Sequence, residues 1–262
     1  MIVCTVASPE IVPPHLVEMA EYEQRHWWYL GLRDLLSRLL VQWRATLTER
    51  PRVLDAGCGT GANLRLLADV LRPGYLAGFD ISDHAVRVAE TRCPEANVYV
   101  DDITAPQVDA DPFDLILSCD VCSVPGLDAC RGGLSRLANS LRPGGRLVLH
   151  LPAYDWLYSP HDRAVGHTQR FSLGETTELL REFGLSIELA TYRMSILFPA
   201  VLAARLPSLI RRGEAACSDL RAVPEWLNDA LFRIVAAENR LTARGCHWPV
   251  GSSLIVVGRH LP

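Results

Sequence analysis

The chain has 262 residues, of which 49% are hydrophobic, so it is long enough to bury a substantial core. Its formal net charge is -4 and it has no long run of lysine or arginine, which argues against a nucleic-acid-binding surface and favours a small-molecule ligand. Eight cysteines are scattered singly, the usage expected of reduced cysteines in a cytoplasmic protein.

The first segment, residues 1–48, is predicted to form an N-terminal helical cap. Residues 1–14 have no basic stretch ahead of an apolar one, so a signal peptide is not expected. A helix is predicted from Pro14 and an amphipathic one over residues 32–47. Between them lies an aromatic cluster, which either packs the segment onto the sheet or covers a bound ligand. Its rings are Tyr22, Trp27, Trp28 and Tyr29.

The most informative stretch is residues 53–61, Val-Leu-Asp-Ala-Gly-Cys-Gly-Thr-Gly. It predicts the end of a buried strand, a glycine-rich loop and the start of a helix near Asn63. Gly57, Gly59 and Gly61 allow the backbone to turn sharply and to approach a ligand closely. Strand-to-helix loops also need glycine for steric reasons alone, so the loop by itself is a weak indication of binding.

Two carboxylates strengthen the prediction of a ligand site. Asp55 precedes the loop, and Asp80 ends the next predicted strand, residues 75–80. A carboxylate about 20 residues beyond such glycines can accept hydrogen bonds from the two hydroxyls of a ribose. A dinucleotide-dehydrogenase loop has its third glycine one residue later, and Asp55 would set a negative charge near a phosphate. A nucleoside ligand with positive charge is therefore favoured.

The pattern Asp-x-Gly-x-Gly-x-Gly, with an acid ending the second strand, resembles the class I S-adenosylmethionine (SAM) methyltransferases, in particular the small-molecule and quinone-type branch. The resemblance implies SAM as cofactor and an α/β fold with a doubly wound, seven-stranded, mostly parallel sheet. It covers most of residues 50–152, including Leu-Arg-Pro-Gly-Gly at 141–145. The cofactor-binding residues it implies are Trp28, Arg33, Asp55, Gly57, Cys58, Gly59, Gly61, Asp80, Ile81, Asp101, Asp102, Ile103 and Cys119.

The resemblance also implies individual roles. Arg33 is expected to pair with the methionine carboxylate of the cofactor. Asp101 or Asp102 is expected to receive the adenine amino group, and Ile103 to pack on the adenine ring. For the Asp-Asp pair, ordinary solvation in a loop is the alternative.

The fourth predicted strand, residues 113–119, ends where relatives with a Glu-x-x-Glu-His pattern use a metal. Asp120 keeps the first acid, but Ser123 and Val124 replace the Glu-His, so a metal-dependent mechanism is not expected. Cys119 and Cys122 lack the further ligands of a zinc site. We therefore predict no metal.

The segment after the fifth strand is predicted to carry the acid-base chemistry. His161, Asp162, His167 and Arg170 lie within about 10 residues of one another, a density suited to proton transfer. We predict His167, or else His161, as general base, with Asp162 orienting it and Arg170 holding an anionic acceptor group. The alternative is a loop in which these side chains tie down their own backbone.

The last part of the chain is predicted to hold a sixth strand (187–192), a helical insertion (194–245) and a seventh strand (253–258). Residues 194–212 are apolar, interrupted by Pro199, Arg205 and Pro207, and too short to span a bilayer comfortably. They form either a substrate lid or a peripheral membrane contact with Arg211 and Arg212 at its rim. The second helix is predicted over 224–241, with one face made by Trp226, Leu227, Leu231, Ile234 and Leu241.

Together these patterns predict a single methyltransferase domain over residues 1–262. Residues 49–152 would form the SAM-binding core, and residues 153–262 the substrate-side loops, the insertion and the last strand. The expected function is O-, N- or C-methylation of a small organic, natural-product or lipid-like acceptor. The alternatives are a SAM-dependent reaction other than methylation, such as a cyclisation, or a noncatalytic binding partner.

Overall fold

The computed structural model describes residues 22–108, 111–210 and 223–261, with side chains omitted at 206–210. The predicted helix from Pro14, and the arginines at 211 and 212, lie outside these residues.

Seven strands form one sheet in the described part of the chain, in the order β3-β2-β1-β4-β5-β7-β6. Strand β7 runs antiparallel to β5 and β6, and the other neighbouring pairs are parallel. This confirms the predicted seven-stranded doubly wound fold. The strands are β1 (Arg52–Ala56), β2 (Tyr75–Asp80), β3 (Asn97–Val100), β4 (Phe113–Cys119), β5 (Leu141–Pro152), β6 (Leu185–Arg193) and β7 (Ser253–His260).

Helices cover both faces of the sheet, and two large apolar clusters lie between the layers. Because both faces are covered, the central strands β1 and β4 are almost entirely buried, as expected for parallel strands. The helices are α1 (Trp27–Trp43), α2 (Ala62–Leu71), α3 (Asp83–Arg92), α4 (Leu127–Asn139), α5 (Pro160–Ala164), α6 (Leu173–Glu182), α7 (Phe198–Ile210) and α8 (Glu225–Ala243).

The strand order reverses at β1, which lies between β2 and β4. In open sheets of this kind, ligands bind outside the carboxyl ends of the strands at the reversal point. The glycine-rich loop leaves β1 there, Asp80 ends β2 and Asp120 follows β4. The fold therefore gathers these residues at one crevice.

Several predicted boundaries are wrong for local reasons. Helix α1 begins at Trp27, not residue 32, since the His26 ring accepts the N–H of Trp28 and caps it. The sequence over residues 133–141 predicts a helix, but helix α4 begins earlier, at Leu127, where the Gln169 side chain accepts the N–H at 3.0 Å. Leu-Arg-Pro-Gly-Gly at 141–145 predicts a turn, but strand β5 includes these residues, because Leu141 pairs with Phe113 ahead of a bulge.

The insertion also differs from its prediction. Helix α7 spans Phe198–Ile210, and Pro199 lies in its first turn, where proline loses no intrahelical hydrogen bond. In α8, Leu231 and Ile234 of the predicted apolar face pack on the cluster that contains Val235, whereas Trp226 and Leu241 are exposed. The buried residues of α8 also include Asn239, which donates to the carbonyl of Gly31 in α1 at 2.8 Å. Within the described ranges, no helix is long and apolar enough to cross a membrane.

Candidate active site

The glycine-rich loop has the geometry that its sequence predicts. Gly57, Gly59 and Gly61 have φ values of 80°, 53° and 86°, a left-handed conformation that side chains disfavour. The N–H of Gly57 donates to the carbonyl of Phe79 in β2 at 2.8 Å. A Cβ atom added at Gly57 would lie 2.2 Å from Cγ2 of Val121. The loop therefore turns tightly against the ends of β2 and β4.

Asp80 joins this loop to the end of β2. One carboxylate oxygen accepts the N–H of Gly59 at 2.9 Å and the other accepts the N–H of Ser82 at 3.0 Å. Burial raises the pKa of Asp80, although the backbone N–H groups act against that rise. A carboxylate has about four acceptor positions, so Asp80 keeps capacity for further donors beside the loop.

Asp55 is completely buried at the end of β1. Neither of its carboxylate oxygens has a hydrogen-bond partner among the described residues. Burial, with a smaller contribution from the charge of Asp80, raises its pKa to about 8. A buried polar group without a partner is costly, and a ligand that supplies a cation or a donor would relieve that cost. The site therefore fits SAM, which carries an ammonium and a sulfonium.

The implied adenine-binding residues lie beside the same crevice with mixed exposure. The side chain of Ile81 is 71% exposed at the end of β2, whereas Ile103 is buried in the core. Asp101 and Asp102 accept backbone N–H groups of their own loop, including that of Thr104 at 2.8 Å from Asp102. Both carboxylates thus hold the backbone of their own loop. This arrangement is compatible with adenine binding and with ordinary solvation, the two alternatives that the sequence left open.

The residues before α1 lie against the glycine-rich loop. Glu23 is buried, accepts a hydrogen bond of 2.5 Å from the hydroxyl of Thr60 in that loop, and pairs with Arg92 of α3. Arg33 donates to the backbone carbonyl of Glu23, and burial lowers the pKa of its guanidinium. Sequence reasoning missed Glu23, since nothing in its neighbourhood distinguishes it from a solvated glutamate. The hydrogen bond between Glu23 and Thr60 joins the segment before α1 to the glycine-rich loop.

Trp28 and Cys119 lie at the inner end of the crevice. The Trp28 ring meets the ring of His150 edge to face, with centroids 5.9 Å apart, and packs against a small apolar cluster with Met194 and Val235. Burial raises the pKa of the Cys119 thiol, which therefore stays protonated. Trp28, which the resemblance implies as a cofactor-binding residue, thus packs on side chains of the protein itself.

A chain of hydrogen bonds runs from Asp120 into the protein. The His150 ring lies 2.9 Å from Asp120 through Nδ1 and 2.7 Å from Arg193 through Nε2. Because a guanidinium can only donate, Nε2 accepts and Nδ1–H donates to Asp120. Burial lowers the pKa of His150, which is consistent with this neutral tautomer. Asp120 itself has a φ of 60°, a strained conformation of the kind that clusters at functional sites.

Sequence reasoning did not predict His150 or Arg193 as site residues. They lie in β5 and β6, which are neighbours of β7 and not of each other. A histidine inside an apolar strand was the available signal. It is equally typical of an ordinary core position.

Three of the four residues predicted for acid-base chemistry come together. The carboxylate of Asp162 is fully buried and accepts from Nε of Arg170 at 2.9 Å, with Nδ1 of His167 at 3.4 Å. Burial acts to raise the pKa of Asp162, but the His167 hydrogen bond and the Arg170 charge outweigh it and lower that pKa. His161, the fourth residue, lies beside Asp162 in the short helix α5.

Arg170 does not have the surroundings that the sequence suggested. Its guanidinium is buried, forms an ion pair with Asp162 at 2.8 Å and donates to the carbonyl of Ala153 at 3.1 Å. The expected role, holding an anionic acceptor group, needs an accessible guanidinium. The structure instead places Arg170 as the inner partner of Asp162.

The pairs Asp120–His150 and Asp162–His167 are linked through backbone hydrogen bonds, and they expose opposite members to the crevice. The N–H of Thr168 donates to the carbonyl of Ser123 at 2.7 Å, and the hydroxyl of Ser123 donates to the carbonyl of Asp120 at 2.5 Å. In one pair the carboxylate of Asp120 is 22% exposed and its imidazole is buried. In the other the imidazole of His167 is 15% exposed and its carboxylate is buried. The crevice thus presents one carboxylate and one imidazole.

Helix α7 of the insertion packs over the segment after β5. The ring of Tyr154 stacks on Tyr192 and Trp156 with centroid distances of 4.9 and 5.4 Å, and lies 6.0 Å from the ring of Phe198. Arg205 donates to a backbone carbonyl of the same segment at 3.1 Å. These four rings form an aromatic wall next to the segment that carries His161, Asp162 and His167. Among the described residues, no group of three or more His, Cys, Asp or Glu is arranged to hold a metal.

The fold is a doubly wound α/β sheet with a glycine-rich loop at the carboxyl ends of β1, β2 and β4, the place where sheets of this kind bind ligands. Residues 53–145 match the family model described as a methyltransferase domain. The chain thus carries a methyltransferase domain over these residues, in agreement with the resemblance seen in its sequence.

Curated relatives and solved structures agree with this assignment. The chain is 33% identical over 111 residues to trans-aconitate 2-methyltransferase of Variovorax paradoxus, covering 42% of this chain and 41% of that protein. It is 33% identical over 109 residues to a dTDP-amino-sugar N,N-dimethyltransferase of Saccharopolyspora spinosa, covering 40% of this chain and 42% of the relative. The crystal structure of the plantazolicin methyltransferase BpumL with S-adenosylhomocysteine covers 95% of this chain and 92% of its own, with 18% identity and a TM-score of 0.61.

These sequence matches are partial. The chain spans between 27% and 42% of the length of the Synechococcus, Variovorax and Saccharopolyspora relatives. The similarity is therefore that of the shared methyltransferase domain.

Proposed function

We propose that the protein transfers a methyl group from SAM to a small organic acceptor. The observation that carries the proposal is Asp55, a buried carboxyl at the start of the glycine-rich loop that has no hydrogen-bond partner among the described residues. We assign the cofactor-binding core to residues 49–152 and the substrate-side loops and insertion to residues 153–262. The trans-aconitate, amino-sugar and plantazolicin methyltransferases support a small-molecule or natural-product acceptor.

When bound, SAM supplies a methyl group activated by a positively charged sulfur. The protein then has to align the acceptor with that carbon and take up its proton. In our proposal His167 takes the proton at Nε2, since Nδ1 is directed to Asp162. Asp162 orients the ring and stabilises the imidazolium that forms.

The alternatives are a SAM-dependent reaction other than methylation, such as a cyclisation, and a noncatalytic binding role. Mass spectrometry of candidate acceptors incubated with methyl-labelled SAM separates the three. Transfer of the label supports the proposal. A product without label indicates another reaction, and tight SAM binding without any product favours the binding role.

The Asp80→Ala variant is expected to weaken SAM binding by about 1.5–3 kcal/mol, the range for hydrogen bonds to a charged group. The physical reason is that the carboxylate beside Gly59 would no longer accept the ribose hydroxyls. Isothermal titration calorimetry measures the effect. Asp69→Ala, which removes an exposed acid of α2, is the matched control. Unchanged SAM affinity in folded Asp80→Ala protein would remove Asp80 from the cofactor site.

The apolar part of the insertion is expected to act as a substrate lid. Replacing Phe198 and Leu202 by Ser should raise the acceptor KM more than it changes SAM binding, because the aromatic wall beside the crevice is lost. Ile196→Ser is the control, since Ile196 is 47% exposed on the same segment. The wild type should also stay in the supernatant with anionic liposomes. Cosedimentation that is lost in the double variant would support a membrane contact through residues 194–212.

A further inference from the structure

The charged groups around Asp120 are arranged so that negative charge faces the crevice. Asp120 presents its carboxylate, whereas the neighbouring guanidinium groups point inward and are at least nine-tenths buried: Arg170 is 3% and Arg193 1% exposed. Arg170 is paired with Asp162, and Arg193 lies against His150. An anionic acceptor would thus meet the carboxylate of Asp120, because the guanidinium groups of Arg170 and Arg193 are both buried.

We infer that the acceptor is an amine and that Asp120 binds it by accepting a hydrogen bond from its nitrogen. The inference rests on the proposed function and gives that function a substrate class. An amine offers N–H donors to a carboxylate both as the ammonium and as the free base. Asp120 would orient the nitrogen, and His167 would take up the proton that the nitrogen loses.

The residues that surround Asp120 keep its carboxyl group ionised and leave one of its oxygens for a ligand. Burial acts to raise the pKa of Asp120, but His150, then His167 and then Arg193 outweigh it and lower that pKa. The neutral His150 ring fixes one carboxylate oxygen at 2.9 Å, and the other oxygen remains for a ligand.

Glu238 of α8 balances the charge of Arg193. It is buried, its charge acts on Arg193, and it accepts the N–H of Ile196 at 2.9 Å. With His150 neutral, the four groups Asp120, His150, Arg193 and Glu238 together carry a net negative charge. Buried charge of that sign attracts a cation and repels a carboxylate ligand.

The aromatic side chains next to Asp120 also suit an amine. The pKa of the Tyr29 phenol is raised by burial and then by the charge of Asp120, so the hydroxyl stays protonated close to that carboxylate. Trp28 stacks edge to face on Tyr29, with centroids 4.9 Å apart. Aromatic rings beside a carboxylate form the surroundings in which proteins bind ammonium groups.

The test uses two small probes of similar size and opposite charge, 2-phenylethylamine and 3-phenylpropionate. Their binding to protein saturated with S-adenosylhomocysteine is measured by NMR titration. We expect the amine to bind the wild type about tenfold more tightly than the acid, as one charge contact allows. The Asp120→Asn variant should lose that preference. Asp128→Asn, which removes an exposed acid in the first turn of α4, should keep it.

Three results would overturn the inference: binding of the acid at least as tight as that of the amine, saturable binding of neither probe, or an unchanged preference in Asp120→Asn. A loss of more than about tenfold in SAM affinity in that variant would also overturn it, because Asp120 would then hold the ammonium of the cofactor. SAM titration of the wild type keeps the two proposals separate. No SAM binding contradicts the proposed function, whereas labelled transfer to a carboxylic acid contradicts this inference alone.

Discussion

Replacing His167 by Ala is expected to lower kcat by about 100-fold or more while SAM affinity is kept, since loss of a general base removes roughly 100- to 10,000-fold in rate. The reason is geometric: the imidazole is the exposed member of its pair, and Asp162 holds it through Nδ1 at 3.4 Å. Steady-state kinetics with the acceptor found by label transfer measures the loss. The His167→Gln variant should not restore activity, because an amide cannot take up the proton.

His161→Ala is the matched comparison, since His161 is the other imidazole of the segment. It should leave kcat within a fewfold of the wild type. If His161→Ala carries the large loss instead, the base is His161. If both His167 variants keep near-normal kcat from about pH 6 to 9, His167 is structural and alignment alone drives transfer.

The Asp162→Asn variant is expected to lose about 3–5 kcal/mol of unfolding free energy, the cost of breaking a buried ion pair by removing one partner. Asp162 accepts hydrogen bonds from Arg170 and from the hydroxyl and N–H of Ser159, and all three residues are buried. Urea denaturation followed by circular dichroism measures the change. Asp155→Asn is the control, because Asp155 is exposed and its carboxylate accepts the backbone N–H of Arg170, a donor that an amide oxygen can still receive.

A loss below about 1 kcal/mol, the size of one ordinary hydrogen bond, would show that the Asp162 cluster does not hold the segment. The pH dependence gives a second measurement. Because folding lowers the pKa of Asp162, its stabilisation is complete above the unfolded value of about 4 and is lost as the pH falls through the folded value. The wild type should therefore lose more stability than Asp162→Asn as the pH is lowered below about 4.

Three expectations of the sequence were corrected because a linear pattern does not specify partners. Pro199 was expected to interrupt a helix and instead lies in its first turn. Trp226 was placed on a buried face of α8, but tertiary packing against α1 uses a different part of that helix. Arg170 was expected to hold an acceptor, and the fold places it inside the protein beside Asp162.

The sequence by itself determined the fold class and the cofactor loop. Strand, loop and helix are contiguous between residues 52 and 71, and the left-handed φ values at Gly57, Gly59 and Gly61 are a local property that glycine alone tolerates easily. Asp80 was predictable for the same reason, since the end of β2 must lie beside the end of β1 in a parallel sheet. Such features depend on residues that are adjacent in the chain and on the rule that neighbouring parallel strands have their carboxyl ends side by side.

Only the tertiary structure decided which charged groups face the crevice. Asp120, His150 and Arg193 are separated by 30 and 43 residues, and they meet because the sheet places β5 between β4 and β7, with β6 beyond. Each of them has local surroundings typical of an ordinary strand or loop residue. Their hydrogen bonds and charges act over a few ångströms, so the role of each depends on long-range packing that no spacing in the sequence encodes.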